Sequence, residues 1–255
     1  MPSRLEVIAV PGLPLVRAGD DVAGLILAGL ERAGLGLRQR DVVVVAQKIV
    51  SKAEGRTVDL ATVRPSARAV ALAAEVGKEA DIVEVVLSES ARVVRSRPNL
   101  LIMQHRLGFV MANAGVDQSN VAEQDGGRRA LLLPVDPDGS AAAIRARLME
   151  RSRTEVGVVI SDSFGRPWRR GTAGVAIGCA GLPSLVDLRG QPDLFGRKLE
   201  VSIIGFADEI AAAASLLQGQ AAEAQPVVIV RGLAWQAPDA PVADVIRPPE
   251  EDLFQ

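Results

Sequence analysis

The amino-acid sequence predicts an α+β fold with mixed parallel and antiparallel sheets and flanking helices. Three observations carry that prediction. Val42 to Ala46 and Val156 to Ser161 are continuous apolar runs rich in β-branched residues, as strands buried on both faces require. Val22, Leu25, Ile26 and Leu30 instead recur at helical spacing. Strands and helices intermingle without strict βαβ alternation, and several strands follow one another closely, as antiparallel pairs do.

Taken in order, Leu5 to Val10 reads as a strand, followed by the rigid turn Pro11-Gly12-Leu13-Pro14. Asp20 or Asp21 then caps the amphipathic helix that begins near Val22. The Val42–Ala46 strand runs directly into Gln47-Lys48-Ile49-Val50-Ser51-Lys52. Pro65 and Ser66 open a helix through about Val76, with the proline in its first turn. A second helix is predicted over Ile82 to Val93, and short strands over Leu100 to Met103 and Phe109 to Met111, on either side of His105-Arg106. The turn Asp136-Pro-Asp138-Gly139 separates a strand, Leu131 to Val135, from a helix capped by Ser140. The Val156–Ser161 strand ends at Asp162. Val201 to Phe206 is read as a strand entering an alanine-rich helix, Asp208 to Leu217, which Gly219 and Gln220 end. Pro226 to Val230 is the last strand, and the tail with Pro238, Pro241, Pro248 and Pro249 is expected to be extended and peripheral. No repeat and no linker interrupts the chain. Residues 1–255 therefore read as one catalytic unit, or as two interwoven subdomains without a legible boundary.

Composition excludes several classes. A chain of 255 residues, 48% hydrophobic, can bury a full core and is not disordered. No apolar run approaches the ~18 residues that span a bilayer, and Met1 to Glu6 lacks the basic-then-apolar layout of a secretory signal. The single cysteine, Cys179, excludes an internal disulfide and fits a reducing compartment, so a cytoplasmic location is expected. A net charge of -2 and 3% aromatics, with no tyrosine, argue against a nucleic-acid partner. One histidine and one cysteine provide no imidazole or thiolate cage, so a bound cation would be magnesium or manganese on oxygen ligands. No G-x-x-x-x-G-K-[ST] stretch exists, and Gly34-Leu-Gly36 lies in a helix-exit loop. A Walker ATPase and a Rossmann dehydrogenase are thereby disfavoured.

Two polar clusters follow apolar runs. Asp162-Ser163 offers adjacent hard oxygens; Gly165 then lets the chain turn, and Arg166, Arg169 and Arg170 supply forked donors suited to phosphate. The plainer reading is an Asp-Ser turn followed by a solvated basic stretch. Asn113 to Asn120 places Asp117 and Asn120 beside Gly115, a pattern shared with ordinary Asx-rich surface loops. Lys48 and Lys52 follow a doubly buried strand, where ligand crevices open, although solvated lysines on an exposed edge give the same spacing. Gln220 and Glu223 sit beyond a helix end and read alone as solvent-facing. His105 with Arg106 is either packed or an anion contact, Cys179 is a small core residue, and Asp208 with Glu209 read as ordinary capping or surface charges, the alternative being a place near the metal. Together the clusters suit an enzyme that handles a metal–nucleotide complex.

Four stretches resemble the coenzyme F420:L-glutamate ligase family, also described as F420-0:gamma-glutamyl ligases. They are Val50-Ser-Lys-Ala-Glu-Gly55, Ala114-Gly-Val-Asp-Gln-Ser-Asn-Val121, Ile160-Ser-Asp-Ser-Phe-Gly-Arg-Pro-Trp-Arg169 and Ala207-Asp-Glu-Ile-Ala-Ala-Ala-Ala214. The likeness extends from Pro11 to Gly232. It implies a GTP-dependent ligase that adds L-glutamate to the lactyl carboxylate of coenzyme F420-0 through an acyl phosphate, releasing GDP and phosphate, with further glutamates added by γ-linkage. It also implies two divalent cations (Mg2+ or Mn2+), activating K+, an intertwined homodimer, and no C-terminal flavin reductase domain. Carried over by position, Asp117 and Asp162 would act catalytically through metal, and Asp117, Asp162, Ser163 and Gln220 would be the ligands. Pro11, Gly12, Leu13, Pro14, Gln47, Lys48, Lys52 and Asn120 would surround GTP, with Gln218, Gly219, Gln220, Ala221, Ala222, Glu223, Ala224 and Gln225. Where the family commonly has threonine, Ser163 keeps the hydroxyl. The competing expectations are another metal-dependent nucleotide-using ligase or phosphotransferase, and a non-catalytic nucleotide- or deazaflavin-binding module.

Overall fold

The computed structural model describes residues 4–119 and 127–252. β1 (Glu6–Ala9) leads through the Pro11–Pro14 turn to α1 (Val22–Arg32), whose buried positions Val22, Ile26, Gly29 and Leu30 form one helical stripe. β2 (Val42–Ala46) passes straight into a short helix, α2 (Gln47–Ala53), and then β3 (Thr57–Asp59). α3 (Ala67–Val76) starts at Ser66, whose hydroxyl accepts from Ala69 N at 3.2 Å, and stops at Gly77, left-handed at φ 68°. α4 (Ala80–Ser88), β4 (Ser90–Arg97), β5 (Leu100–His105) and β6 (Val110–Ala112) follow. β7 (Arg129–Leu131) precedes α5 (Pro137–Ser152), β8 (Gly157–Arg166) and β9 (Arg169–Ala180). β10 (Val186–Asp187), β11 (Ile203–Ile204), α6 (Phe206–Gln218) and β12 (Val227–Arg231) complete the described elements, apart from short 3₁₀ turns.

The largest sheet has strand order β1-β12-β2-β8-β9. β2 and β8 pair in parallel and the other neighbours antiparallel, so the predicted mixed α+β class is observed. Val42 to Val45, Val158 to Ile160 and Val227 to Ile229 are fully buried, which requires cover on both sheet faces. α5 and α6 pack directly on β9. A methyl at Gly174 would collide with the Ala211 carbonyl in α6, and one at Gly178 with Pro137 at the start of α5. A second core, including Val76, Val83, Val86, Leu101, Met103 and Leu132, packs α3 and α4 against the β4-β5-β6 sheet. No helix among the described residues is long and apolar enough to cross a membrane.

Several predicted boundaries are corrected. The helix expected over Ile82–Val93 ends at Ser88, and Ala91 to Val93 belong to β4. Pro65 precedes the cap of α3, outside its first turn. Asp136, not Ser140, caps α5: its Oδ1 accepts from Gly139 N at 3.0 Å, and Ser140 lies inside the helix. The strand expected over Leu131–Val135 is instead Arg129–Leu131, and Val201–Phe206 pairs only at Ile203–Ile204. Most consequentially, the strand expected to end at Asp162 continues to Arg166 as one arm of a long hairpin with β9. The tail is not wholly peripheral, since Val242 is buried in the main core.

Candidate active site

The sheet topology assembles the predicted segments. β1 and β2 both run antiparallel to β12, and β8 runs parallel to β2. β1, β2 and β8 therefore point the same way, and the chain leaving each emerges at one edge, beside the start of β12. Val10 N donates to Val227 O at 2.9 Å and Ala46 N to Pro226 O at 2.8 Å, fixing that edge. It gathers the Pro11–Pro14 turn, α2, the Asp162-Ser163 pair and the loop leaving α6. Carboxyl ends of strands are where α/β sheets open crevices for ligands.

Lys48 and Lys52 lie one turn apart on α2, as do Gln47 and Ser51, whose hydroxyl donates to Gln47 Oε1 at 2.8 Å. Lys48 Nζ reaches Asp117 Oδ2 at 2.6 Å and Ser119 Oγ at 2.7 Å. Asp117 also accepts from Ser119 N at 2.7 Å and Ser119 Oγ at 2.9 Å. Its backbone exchanges two hydrogen bonds with Leu131, which pins the segment to the end of β7. Before it, Asn113, Ala114 and Gly115 are consecutively left-handed, with φ of 51°, 50° and 71°. Glycine adopts that geometry freely and asparagine readily, so Ala114 is the residue held there by its surroundings. The Asn113 Oδ1 atom is buried and has no hydrogen-bond partner among the described residues.

The two carboxylates occupy opposite electrostatic environments. Burial alone would raise the Asp117 pKa, but the hydrogen bond from Lys48, the Ser119 donors and the Lys48 charge outweigh it and hold the group below its ordinary value. Burial pushes the Asp162 carboxyl up to about 6 against the lowering effects of the Ser163 N–H and the Lys48 charge, and the Asp117 charge adds to the rise. Ser163 N donates to Asp162 Oδ1 at 2.8 Å. Lys48, Asp117 and Asp162 thus lie within electrostatic reach of one another, although they come from three distant parts of the chain. Burial, and then the charge of Lys48, lower the Lys52 pKa.

The other predicted residues divide. Gln218 accepts from Ser161 Oγ at 3.2 Å and donates to Pro226 O at 3.4 Å, so the end of α6 is tied to the residue before Asp162. Gly219 closes the helix; Gln220, Ala221, Ala222, Glu223 and Ala224 form an exposed loop, in which the Glu223 carboxylate accepts from Ala221 N at 2.8 Å. Pro11, Gly12 and Pro14 are exposed at the end of β1, while Leu13 packs on the core. Asn120 lies outside the described residues. Arg166, Arg169 and Arg170 are strung along the hairpin beyond Asp162 instead of clustering beside it. His105 and Arg106 serve a structural cluster: buried Glu89 binds Arg56 at 2.8 Å and Arg106 at 2.7 Å, with His105 Nε2 3.6 Å away. Cys179 is buried, and desolvation pushes its thiol up to about 12.

Sequence reasoning missed α2, Ser119 and the part played by Asp208. Asp208 Oδ1 accepts from Ala176 N at 2.9 Å, at a register shift in β9 opposite Ser161. A serine two residues after Asp117 is the signal for the Ser119 turn. No local signal announces the Asp208 contact, which joins residues 32 apart.

The family model described as F420-0:Gamma-glutamyl ligase matches residues 12–232. The chain is 46% identical over 253 residues to the coenzyme F420:L-glutamate ligase of Methanothermobacter thermautotrophicus, covering 98% of this chain and 99% of that protein. It is 44% identical over 252 residues to the protein of the same description from Archaeoglobus fulgidus, with 99% and 97% coverage. With that from Methanopyrus kandleri it shares 43% over 256 residues, covering 98% of each. Identity at this level over nearly the whole of both chains places the protein among the acid–amino-acid ligases. More narrowly, the chain belongs to the F420-0:gamma-glutamyl ligase family.

Proposed function

We propose that this chain joins L-glutamate to the lactyl carboxylate of coenzyme F420-0 at the expense of GTP, and adds further glutamates through γ-linkages. The observation that carries the reading is the unequal carboxylate pair at one sheet edge. Asp117 is kept ionised by Lys48, while Asp162 is desolvated nearby and has no ion-pair partner among the described residues. Such an edge favours added positive charge. Among the described residues, no group of three or more His, Cys, Asp or Glu side chains is arranged to hold a metal ion by itself. A donor set of Asp117, Asp162, the Ser163 hydroxyl and the Gln220 amide is all hard oxygen and sparse. That suits two magnesium or manganese ions shared with phosphate and water, and not a cation caged by protein alone; we assign potassium an accessory role. Bound there, the divalent ions would neutralise the oxygens between the β- and γ-phosphates.

The chain's own groups bind and orient. Lys48 and Lys52 offer point charges to phosphate, and Lys48 exchanges its Asp117 contact for the nucleotide. Gln47, Pro11 to Pro14, Asn120 and the Gln218–Gln225 loop flank GTP. An oxygen of the substrate carboxylate bonds to the γ-phosphorus as the β–γ bridging bond breaks, and GDP departs. The deprotonated glutamate amine then attacks the acyl carbon, and phosphate leaves with the electrons of the C–O bond. No protein nucleophile is required, and the buried Cys179 is not one. We extend the proposal to an intertwined homodimer. Its support is Leu194, Phe195 and Val201, at 99%, 95% and 85% exposure on the arm between β10 and β11, more apolar surface than a solitary chain favours.

The test is mass spectrometry of the chain with F420-0, glutamate, GTP and manganese. Glutamylated product with GDP and phosphate is expected only when all substrates are present. GDP formed without glutamate incorporation would indicate a phosphotransferase or hydrolase and overturn the reading.

A further inference from the structure

Lys48, Lys52 and Asp117 come from different segments, so their spacing depends on what joins those segments. α2 carries the two lysines, and Asp117 pairs with Leu131 at the end of β7. Arg56 is the joint between them. Its N–H donates to Ser51 O in α2 at 2.9 Å, and its carbonyl accepts from Leu132 N at 2.9 Å. The next residue, Thr57, faces Leu131 in the β3–β7 ladder, and Leu131 in turn exchanges two hydrogen bonds with Asp117. The guanidinium adds two contacts of its own: Nε donates to Leu133 O at 2.9 Å and Nη2 to Glu89 Oε2 at 2.8 Å. Leu133 is fully buried, and its side chain fills the space beside Gly115, where an added methyl would meet its Cγ at 2.8 Å. Arg56 therefore ties α2 to the strand that pairs with Asp117 and to the residue that packs on the turn before it. The Glu89 side chain is only 6% exposed, and such a carboxylate keeps its cation in place because letting go strands a charge away from water. Arg106 binds the other Glu89 oxygen at 2.7 Å and, among the described residues, forms no hydrogen bond to α2 or to residues 131–133.

We propose that Arg56, held by Glu89, is a positioning residue that sets the spacing between the lysines of α2 and the Asp117 carboxylate. The inference rests on the ligase reading above, in which Lys48 leaves Asp117 for the nucleotide. Once that 2.6 Å contact opens, the path through Arg56 and Leu131 still holds the two segments at a fixed distance. Phosphate on the lysines and metal on Asp117 must then fit a gap set by that path. A misplacement of about 1 Å in such a gap is enough to slow chemistry by about a hundredfold. Arginine suits the joint because Nε and Nη2 serve a backbone carbonyl and a carboxylate at once. Lysine has a single nitrogen on a flexible stem and cannot reproduce that fork.

The experiment measures GTP affinity by calorimetry with and without manganese, for wild type, Arg56→Lys and Arg106→Lys. The ratio of the two affinities is the coupling between metal and nucleotide. Arg56→Lys is expected to reduce that coupling about tenfold while metal-free GTP affinity stays within about twofold of wild type. Arg106→Lys disturbs the same carboxylate without touching the joint, and is expected to preserve the coupling. In the glutamylation assay, kcat of Arg56→Lys is expected to fall about tenfold, with the KM for F420-0 within about twofold of wild type. If Arg56→Lys does not fold, Glu89→Gln decides by the same ratio: a loss of about threefold is expected, and no loss overturns the proposal. Unchanged coupling in a folded Arg56→Lys overturns it too. So do equal losses in both lysine variants, which would trace the effect to the Glu89 cluster as a whole, and wild-type protein without any coupling. Product from wild type together with unchanged coupling in Arg56→Lys sinks this inference alone. Coupling lost in Arg56→Lys without product from wild type sinks the ligase reading alone.

Discussion

At the residue scale, the two carboxylates make opposite predictions about pH. Asp162 has a folded pKa of about 6 against an ordinary value of 3.8. The native state therefore holds this proton more tightly than the unfolded chain does. Its contribution is fully present below 3.8 and is lost as pH rises through about 6. Asp162→Asn is expected to stabilise the metal-free protein at pH 8 by about 2 kcal/mol in urea titrations, while abolishing turnover. Unchanged stability with full activity would show that the carboxylate is neither desolvated nor needed. Asp117 behaves conversely: its depressed pKa favours folding above the ordinary carboxylate range and ceases to do so as pH falls through the lowered value. Lys48→Met is expected to flatten that acid limb and to weaken GTP binding by about tenfold or more. Calorimetry at two pH values reads both effects. The sequence singles out Asp117 and Asp162 as candidates because each follows an apolar run, but not their contrasting ionisation, because Lys48 reaches only one of them at hydrogen-bonding distance.

At the scale of elements, the β8–β9 hairpin governs the site. Its register shifts between Ile160 and Ser161, so Ser161 faces Ala176 and Asp162 faces Val175. Asp208 holds the shift through Ala176 N, and burial raises the Asp208 pKa although that hydrogen bond opposes the rise. Asp208→Ala leaves a backbone N–H without its acceptor and is expected to cost about 1–3 kcal/mol. Because the contact positions Asp162, kcat should fall more than the KM for GTP, and Asp208→Asn should recover much of both losses. Equal behaviour of the Ala and Asn variants would make the contact incidental. The helix boundaries misread from sequence share one cause. Val83 to Val94 is apolar on a period that suits a helix or a strand, and the chain leaves α4 because Glu89 is recruited by Arg56 and Arg106. The extension of β8 past Asp162 was hidden likewise, since Gly165 signals a turn unless a partner strand continues the ladder.

At the scale of the whole molecule, one ion pair closes the main sheet. Arg231 donates to Asp41 through Nε at 2.9 Å and Nη2 at 2.7 Å, joining residues 190 apart, with Asp41 only 1% exposed. Arg231→Met strands a buried carboxylate and is expected to destabilise by about 3 kcal/mol or more, lowering the thermal midpoint by roughly 10 °C. A midpoint within about 2 °C of wild type would place that pair outside the cooperative core. For the proposed homodimer, Leu194→Ser with Phe195→Ser is expected to halve the mass measured by light scattering. A wild-type monomer removes the dimer from the proposal.

By itself, the sequence determined the α+β class, the doubly buried central strands, a composition too poor in cysteine and histidine for a thiolate or imidazole centre, and the segments proposed to carry the chemistry. These follow from periodicity and residue type, which are local properties of the chain. Only the tertiary structure decided that Lys48 bridges to Asp117 and Ser119, that Asp162 lies in mid-strand and that the arginines after it extend away from the site. It also decided that His105 and Arg106 belong to a structural cluster around Glu89. Each of those facts depends on which distant segments share a sheet edge, and pairing between residues far apart leaves no periodic trace in the order of amino acids.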